Sequence, residues 1–500
     1  MSSEIKSAAI IGGGVIGGGW AARLVRNGVD VAIRDPDPQA ERKIGEVLAL
    51  ADRALAKLTM APHGRRGALS FAGTVEDAVR DADFIQESAP ERLDLKQNIL
   101  AEIDRHARPD ALIGSSTSGL LPSDLQASMQ HPERLVVAHP FNPVYLLPLV
   151  EIVGGRKTAP ETIERAKRFY AGIGMKPLVV RKEIEAFIGD RLLEAFWREA
   201  LWLVHDDVAT AEEIDDVVRY SFGLRWAQMG TFMTYRIAGG EPGMRHFMNQ
   251  FGPALKWPWT KLMDVPDMDE ALIDKIVAQS DAQAAGRSIR ELEKIRDDNL
   301  VAILQALRAQ DQGKGWGAGA LLKQYEDRLF ERAHEAAAGR AHDLSKPLRL
   351  LETEVAPDWT DYNGHMTESR YLQVFGDTSD ALLLYAGVDR AYRERGFSYY
   401  TVETHIMHKR EARAFAPIHT TTQVLAADDK RLHVFHAIHD SAAGEVLAAA
   451  EQMLLHVDTK AQKACAAEPA VMARLRALAD AHAALERPKD AGRAVGQGRS

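Results

Sequence analysis

Gly12, Gly14 and Gly17 stand in G-x-G-x-x-G spacing directly after the apolar run Ala8–Ile11. Asp35 follows 23 residues after Gly12. In that order the residues suit a dinucleotide. The first glycine permits a tight turn, the second lets the backbone approach a pyrophosphate, and the third lets helix and strand pack closely. The acid accepts hydrogen bonds from ribose hydroxyls. A carboxylate there repels a 2′-phosphate, so NAD is expected rather than NADP, a preference that the adjacent Arg34 weakens. A second signature lies some 340 residues on. Asp361 opens "DYNGHM", an Asp-x-x-Gly-His stretch placed before a helical pattern. One dinucleotide site can organise a whole enzyme, so the late motif calls for a second catalytic unit.

The elements that must position these residues read as follows. Ala8–Ile11 is too short for a helix and reads as a buried parallel strand; Trp20–Val25 reads as a helix and Val29–Ile33 as a second strand. Further strands are expected near Phe84–Ile85, in "ALIGSSTSGL", at Leu135–Ala138 and at Leu149–Val153, in an open parallel sheet of Rossmann type. Ligands of such sheets sit beyond the carboxyl ends of the strands, and those ends carry Ser118, His139 and Glu151. From about Ile184 apolar residues recur at three- and four-residue spacing, and Thr210 with Glu213 forms a capping-box pattern. Trp197, Trp202 and Phe222 in this helical part are read as core. A charged, alanine-rich helix then leads to Pro347. A strand (Leu348–Val355), one long helix (Thr367–Ala386) and four strands (Ser398–Met407, Ile418–Ala426, Leu432–His439, Val446–His456) make the hotdog pattern, a curved sheet around one helix.

At "SSTS" (Ser115–Ser118), "HPFNP" (His139–Pro143) and "LVE" (Leu149–Glu151) the chain resembles the 3-hydroxyacyl-CoA dehydrogenase superfamily, over roughly residues 5–330. The intervals of 21 residues from Ser118 to His139 and 12 from His139 to Glu151 match that family. The resemblance implies that His139 is the base, Glu151 orients it and Ser118 contacts the substrate oxygen. Glu91 and Lys96 complete the candidate cofactor set with Gly12, Gly14, Gly17 and Asp35. It also implies a helical second domain that closes over substrate and builds a homodimer. Alcohol oxidation sends a hydride to nicotinamide and a proton to a base, and histidine with a carboxylate on its other nitrogen suits that task. One position departs from the family. Where the acyl-CoA enzymes carry asparagine, "FIGDRLL" places Asp190. A lone buried carboxylate is costly, and a cationic substrate would compensate it. That choice, with "FGLRWAQMG", resembles the branch that includes L-carnitine dehydrogenase. Phe141, Tyr145 and Trp226 are candidate walls for a trimethylammonium group, with pairing of Asp190 to Arg191 or Arg225 as the structural alternative.

"DYNGHM" resembles the 4-hydroxybenzoyl-CoA-type thioesterases over about residues 348–458, which implies a catalytic Asp361 at the mouth of the long helix. Glu368 and Glu403 are rival carboxylates. Joined, the two parts resemble the family that fuses L-carnitine dehydrogenase to betainyl-CoA thioesterase, with L-carnitine and betainyl-CoA as substrates. The expected organisation is a Rossmann NAD-binding domain (1–184), an all-α substrate and dimerisation domain (185–325), a linker helix (326–347), an α+β hotdog domain (348–458), and a helix with a disordered tail (459–500). Rival readings are a 3-hydroxyacyl-CoA dehydrogenase fused to a general acyl-CoA thioesterase, or a crystallin-like protein with a hotdog serving only as a dimerisation module. A net charge of −9 without a long basic run argues against nucleic acid. No apolar run reaches the ~18 residues of a membrane span. One cysteine, Cys465, excludes an intrachain disulfide and a cysteine zinc site. A strand follows the N-terminus almost at once, without a charged-then-apolar leader, so the cytoplasm is expected. The histidines of "HIMH" and "HVFHAIH" do not predict a metal. His405 diverges from His408 and His433 from His436 by strand parity, and six residues separate His433 from His439 by roughly 20 Å.

Overall fold

The computed structural model describes residues 5–59, 61, 65–239, 241, 243–251, 253, 260, 267, 269–310, 317–338, 342–355, 359–361 and 363–494. Contacts divide the chain into two compact units, residues 1–58 with 65–325, and residues 59–64 with 326–500.

In the first unit the chain runs β1 (Ser7–Ile11), α1 (Val15–Arg26), β2 (Asp30–Arg34), α2 (Ala40–Leu58), β3 (Leu69–Phe71), α3 (Val75–Val79), β4 (Phe84–Glu87), α4 (Leu93–His106), β5 (Leu112–Ser115), α5 (Pro122–Leu125), β6 (Leu135–Pro140), β7 (Leu149–Gly154), α6 (Pro160–Gly172) and β8 (Lys176–Val180). The sheet order is β3-β2-β1-β4-β5-β6-β7-β8. The strand order reverses between β1 and β4, which run parallel, so a crevice opens beyond their carboxyl ends. Alternate strand residues serve opposite faces. Ile10 and Phe84 join one buried cluster with Trp20 and Tyr170, whereas Ala9 and Ile85 join another with Ile103 and Ile113.

The sheet is not parallel throughout. β6 and β7 pair antiparallel, with His139 opposite Glu151. Only eight residues, Phe141–Pro148, join them, and a parallel return needs a dozen or more. Glu151 therefore sits near the start of its strand, level with the end of β6. α1 also begins earlier than expected, at Val15, and takes Gly17 inside it.

The helical part is α7 (Gly189–His205), α8 (Ala211–Val217), α9 (Gly223–Ala238), α10 (Gly243–Phe251), α11 (Glu270–Ala284), α12 (Ile289–Ala309) and the first half of α13 (Gly317–Ala338). α7 starts five residues after Ile184, because Ala186 and Phe187 take left-handed φ values of 56° and 46° and turn the chain first. The Thr210–Glu213 capping box forms as expected. Trp197 does not enter a core; it is 59% exposed, on a helix face that also bares Leu192, Leu193 and Phe196. α12 docks on α2 through Asp298, which accepts from Arg53 and Lys57, each at 2.8 Å.

The second unit holds β9 (Leu348–Glu354), α14 (Glu368–Tyr385), α15 (Arg390–Glu394), β10 (Phe397–His408), β11 (Pro417–Ala427), β12 (Arg431–Asp440), β13 (Val446–Asp458), β14 (Lys463–Ala464) and α16 (Pro469–His482). The antiparallel order is β10-β13-β12-β11-β9. α14 buries Val374, Phe375, Thr378, Ala381 and Leu382, and its C-terminal part shares a core with Leu348, Val434 and Leu454. The α16 residues Val471, Leu475 and Leu478 belong to that same core, so the fold extends past residue 458. His482 accepts from the Val424 N–H at 2.9 Å, next to a register shift in β11. The expected linker helix is the second half of α13, which is described to Ala338; residues 339–341, 356–358, 362 and 495–500 lie outside the described residues.

Candidate active sites

The glycine loop has the shape its spacing predicts. Gly12 takes φ +101°, and a Cβ there would meet the Ser88 carbonyl oxygen at 2.5 Å. A Cβ on Gly17 would lie 1.9 Å from the Gly12 oxygen, which is the close packing of helix on strand. Around Gly14 nothing lies within 4 Å of such a Cβ. The loop is open at the point where a pyrophosphate would approach the start of α1. Asp35 follows β2 directly and accepts from the Gly13 N–H at 2.6 Å, so its carboxylate stands at the loop. These observations fit a dinucleotide.

Glu91 and Lys96 lie beyond β4. Glu91 Oε1 accepts from the Ser118 and Gly119 N–H groups, each at 3.0 Å, and from the Thr117 hydroxyl. It pins the loop that carries Ser118. Lys96 is 1% exposed, and its ammonium donates to Glu87 (2.8 and 3.2 Å) and to the Ala89 carbonyl (2.9 Å). With its donors spent in this way, Lys96 organises the crevice wall from behind. Ser118 is exposed, and its hydroxyl has no partner among the described residues.

Sheet register brings the histidine and the glutamate together. His139 Nδ1 lies 3.0 Å from Glu151 Oε2, and both side chains are buried. The other Glu151 oxygen accepts from the Ile188 N–H (3.1 Å) and the Gly189 N–H (3.0 Å) at the start of α7. Two backbone donors and a helix N-terminus thus compensate a fully buried carboxylate. An ionised carboxylate only accepts, so Nδ1 carries the proton and Nε2 presents its lone pair. Sequence reasoning missed the Ile188 and Gly189 donors. The glycine of "FIGDRLL" was their only trace: a Cβ at Gly189 would lie 2.2 Å from the Phe141 ring.

Asp190 follows directly. Its Oδ2 lies 3.7 Å from His139 Nε2, and no described contact joins it to Arg191 or Arg225. Arg191 instead reaches the Glu185 carbonyl. Burial raises the Asp190 pKa; the His139 charge opposes this, while Glu151, Glu194 and Glu91 add to it. Phe141 packs on His139 with ring centres 4.9 Å apart, so it joins the site. Two other expected walls do not. Tyr145 is buried, with its hydroxyl 2.6 Å from Asp297, because that contact ties the β6–β7 connection to α12. Trp226, on α9, packs against Phe222 with tilted rings whose centres are 4.6 Å apart, and no described contact links it to His139, Phe141 or Asp190.

In the second unit the Asp-x-x-Gly motif folds as a closed turn. Asp361 Oδ1 accepts from the N–H groups of Asn363 (2.8 Å) and His365 (3.3 Å), and Gly364 takes φ +77°. Desolvation pushes the Asp361 pKa up, but those bonds, the Asn363 amide and the His365 charge outweigh it and hold the pKa below its ordinary value. The turn delivers the chain to Thr367, the N-cap of α14, where no side chain caps the first N–H groups. Asp361 and Glu368 line one pocket with Tyr371, His408, Lys409 and Arg410. Glu403 is exposed on β10 and absent from that lining. The pocket also holds His365, 3.1 Å from Glu411.

The remaining histidines disperse. His433 meets Glu451 at 2.7 Å. His436 is fully buried among Ser379, Thr422 and Phe375, and burial lowers its pKa to about 3. His439 stacks on His419 at 4.8 Å. Among the described residues no group of three or more His, Cys, Asp or Glu is placed to hold a metal ion, and no helix is long and apolar enough to cross a membrane.

Comparison with known proteins agrees with this division. Residues 7–184 match the 3-hydroxyacyl-CoA dehydrogenase NAD-binding domain, 187–271 its C-terminal domain, and 355–475 the thioesterase-like superfamily. A Rhizobium meliloti (strain 1021) protein named L-carnitine dehydrogenase/betainyl-CoA thioesterase is 64% identical over 99% of this chain and 100% of its own. An L-carnitine dehydrogenase of Mesorhizobium japonicum is 66% identical, but covers only 67% of this chain, with 93% of its own length matched. Among solved structures, FHMPC 5-dehydrogenase, described as an NAD+-dependent dismutase, is 29% identical with a TM-score of 0.52, covering 62% of this chain and 100% of its own.

Proposed function

The chain belongs to the family of L-carnitine dehydrogenase/betainyl-CoA thioesterases, and from that premise we propose that its first unit oxidises L-carnitine to 3-dehydrocarnitine with NAD while its second hydrolyses betainyl-CoA to glycine betaine and CoA. The observation that carries the first half is Asp190 at 3.7 Å from His139 Nε2. A carboxylate over the reactive nitrogen suits a substrate that brings its own positive charge.

When bound, NAD would supply the hydride acceptor for the alcohol carbon. The chain's residues manage the proton. The C3 hydroxyl donates to His139 Nε2, and as the hydride leaves, the proton passes to that nitrogen. Glu151 stabilises the resulting imidazolium through Nδ1–H, and its bonds to Ile188 and Gly189 hold the ring in place. Ser118 holds the substrate oxygen, in the loop that Glu91 fixes. Phe141 and Asp190 flank the ring and receive the trimethylammonium group. Gly12, Gly14, Gly17 and Asp35 would hold the dinucleotide, with Lys96 bracing the wall behind it.

In the second unit Asp361, kept ionised, either takes a proton from a water that adds to the thioester carbonyl, or attacks the carbonyl itself to form an anhydride that water then hydrolyses. The C–S bond breaks, the acyl group gains the water oxygen as a carboxylate, and the CoA sulfur leaves as a thiol with a proton from that water. N–H groups at the start of α14 polarise the carbonyl oxygen. The exposed apolar face of α7 and α9, with Leu193, Trp197, Leu224 and Phe232, supports a homodimer. Substrates drawn from the NAD and CoA pools support a cytoplasmic site of action. A substrate screen tests the first activity: NADH absorbance should rise with L-carnitine and not with 3-hydroxybutyryl-CoA. The reverse preference would return the chain to the acyl-CoA dehydrogenases.

A further inference from the structure

Hydrolysis of a CoA thioester leaves the nucleotide half of the substrate to be held, and nothing above assigns that task. Lys409 and Arg410 follow β10 directly, and both backbone N–H groups donate to the Leu447 carbonyl, at 2.9 and 3.0 Å. Their positions are therefore fixed at the edge of the pocket that Asp361 lines. The lining carries three acids, Asp361, Glu368 and Glu411, with Lys409 and Arg410 as its lysine and arginine. Glu411 is engaged by His365 at 3.1 Å, which leaves Asp361 and Glu368 to suit the cationic acyl group. The phosphates of a CoA thioester lie at the end remote from the acyl group and need a cation.

Both cations are engaged. Arg410 meets Glu445 of the β12–β13 turn at 3.1 Å. The Lys409 ammonium pairs with Asp490, which arrives from 81 residues away in sequence. Asp490 belongs to the segment after α16, which was expected to be disordered and instead folds back. Gln423 bonds the Glu486 carbonyl at 3.4 Å, the Gly492 N–H donates to Glu451 at 2.6 Å, and Arg493 meets Asp490 at 3.1 Å. The segment thus carries a carboxylate to the one lysine of the pocket rim.

We propose that Lys409 is the phosphate anchor for the nucleotide half of the acyl-CoA, and that Asp490 occupies this anchor until the thioester enters. The inference rests on the thioesterase reading of the same pocket. A partly exposed ion pair is weak, and a phosphate with more charge and more acceptor oxygens displaces it.

The test compares betainyl-CoA with betainyl-pantetheine, which presents the same thioester without the nucleotide, on the full-length chain. The readout is the ratio of the two kcat/KM values. Lys409→Ala should lower the ratio about tenfold, as expected for loss of one charged hydrogen bond, and Lys409→Gln should repeat the effect. Asp490→Asn should raise the ratio several-fold by lowering KM for betainyl-CoA. An unmoved ratio in both Lys409 variants overturns the anchor, and an unmoved ratio in Asp490→Asn overturns its occupation by the tail. If the unaltered chain hydrolyses neither thioester, the thioesterase reading itself falls, a result distinct from hydrolysis with an unmoved ratio.

Discussion

Asp190→Asn changes one oxygen for an amide and restores the residue of the acyl-CoA enzymes. Its consequences can be worked from two contacts. The carboxylate lies 3.7 Å from His139 Nε2, so a C3 hydroxyl bound to that nitrogen brings the substrate beside Asp190. At about 5 Å, with an effective dielectric of roughly 20 to 40, a carboxylate attracts a trimethylammonium group by about 2–3 kcal/mol. Loss of that attraction lowers kcat/KM for carnitine by roughly 20- to 200-fold. The same carboxylate also stabilises the imidazolium, so part of any loss is shared by every substrate. A neutral isostere separates the two. In 3-hydroxy-5,5-dimethylhexanoate a tert-butyl group replaces trimethylammonium, with the carboxylate and hydroxyl unchanged. Measured by NADH formation, the mutant should lose carnitine activity selectively, and the isostere should be affected by the shared part alone. Equal losses on both substrates would leave Asp190 as a partner of His139 only. No loss on either would refute the assignment of Asp190 to the site.

His139→Asn should reduce NAD-dependent oxidation by at least roughly a hundredfold while NAD still binds, read by steady-state kinetics and dinucleotide titration; near-normal turnover would remove His139 from the mechanism. Asp361→Ala should cut betainyl-CoA hydrolysis by orders of magnitude yet keep carnitine oxidation within about twofold, or roughly 0.4 kcal/mol. If hydrolysis survives, Glu368 in the same pocket is the next carboxylate to replace. Burial, followed by the nearby Asp380 charge, pushes the Asp377 pKa from 3.8 to about 7. The folded state therefore resists ionisation, and its cost is absent below about pH 4, grows up to pH 7 and is full above it, reaching at most roughly 4 kcal/mol. Asp377→Asn should accordingly raise the melting temperature at pH 8 and leave it nearly unchanged at pH 4; an equal gain at both would refute the ionisation account.

Features set by local backbone chemistry were legible in the sequence. Gly12 and Gly364 adopt positive φ where their motifs require it, Thr210 and Glu213 cap their helix, and the hotdog strands fall within two residues of their expected ends. Each depends on neighbours a few positions away, so the residues themselves carry the signal. Ser118, His139, Glu151 and Asp361 were legible through motif spacing. What joins them was not. His139 meets Glu151 because an eight-residue connection forces β7 antiparallel and the register then sets the two opposite one another. Besides His139, the buried Glu151 is satisfied by two N–H groups that the start of α7 brings from 37 and 38 residues away. Tyr145 left the site and Trp197 left the core for the same kind of reason. Amphipathic spacing says that a helix has an apolar face, but helix docking decides which residues that face covers. Asp490 is the extreme case. A polar, glycine-containing tail reads as disordered, and only the folded sheet places Lys409 where the tail's carboxylate can reach it. Local conformation is written in adjacent residues, whereas these contacts exist only once distant segments have been packed together.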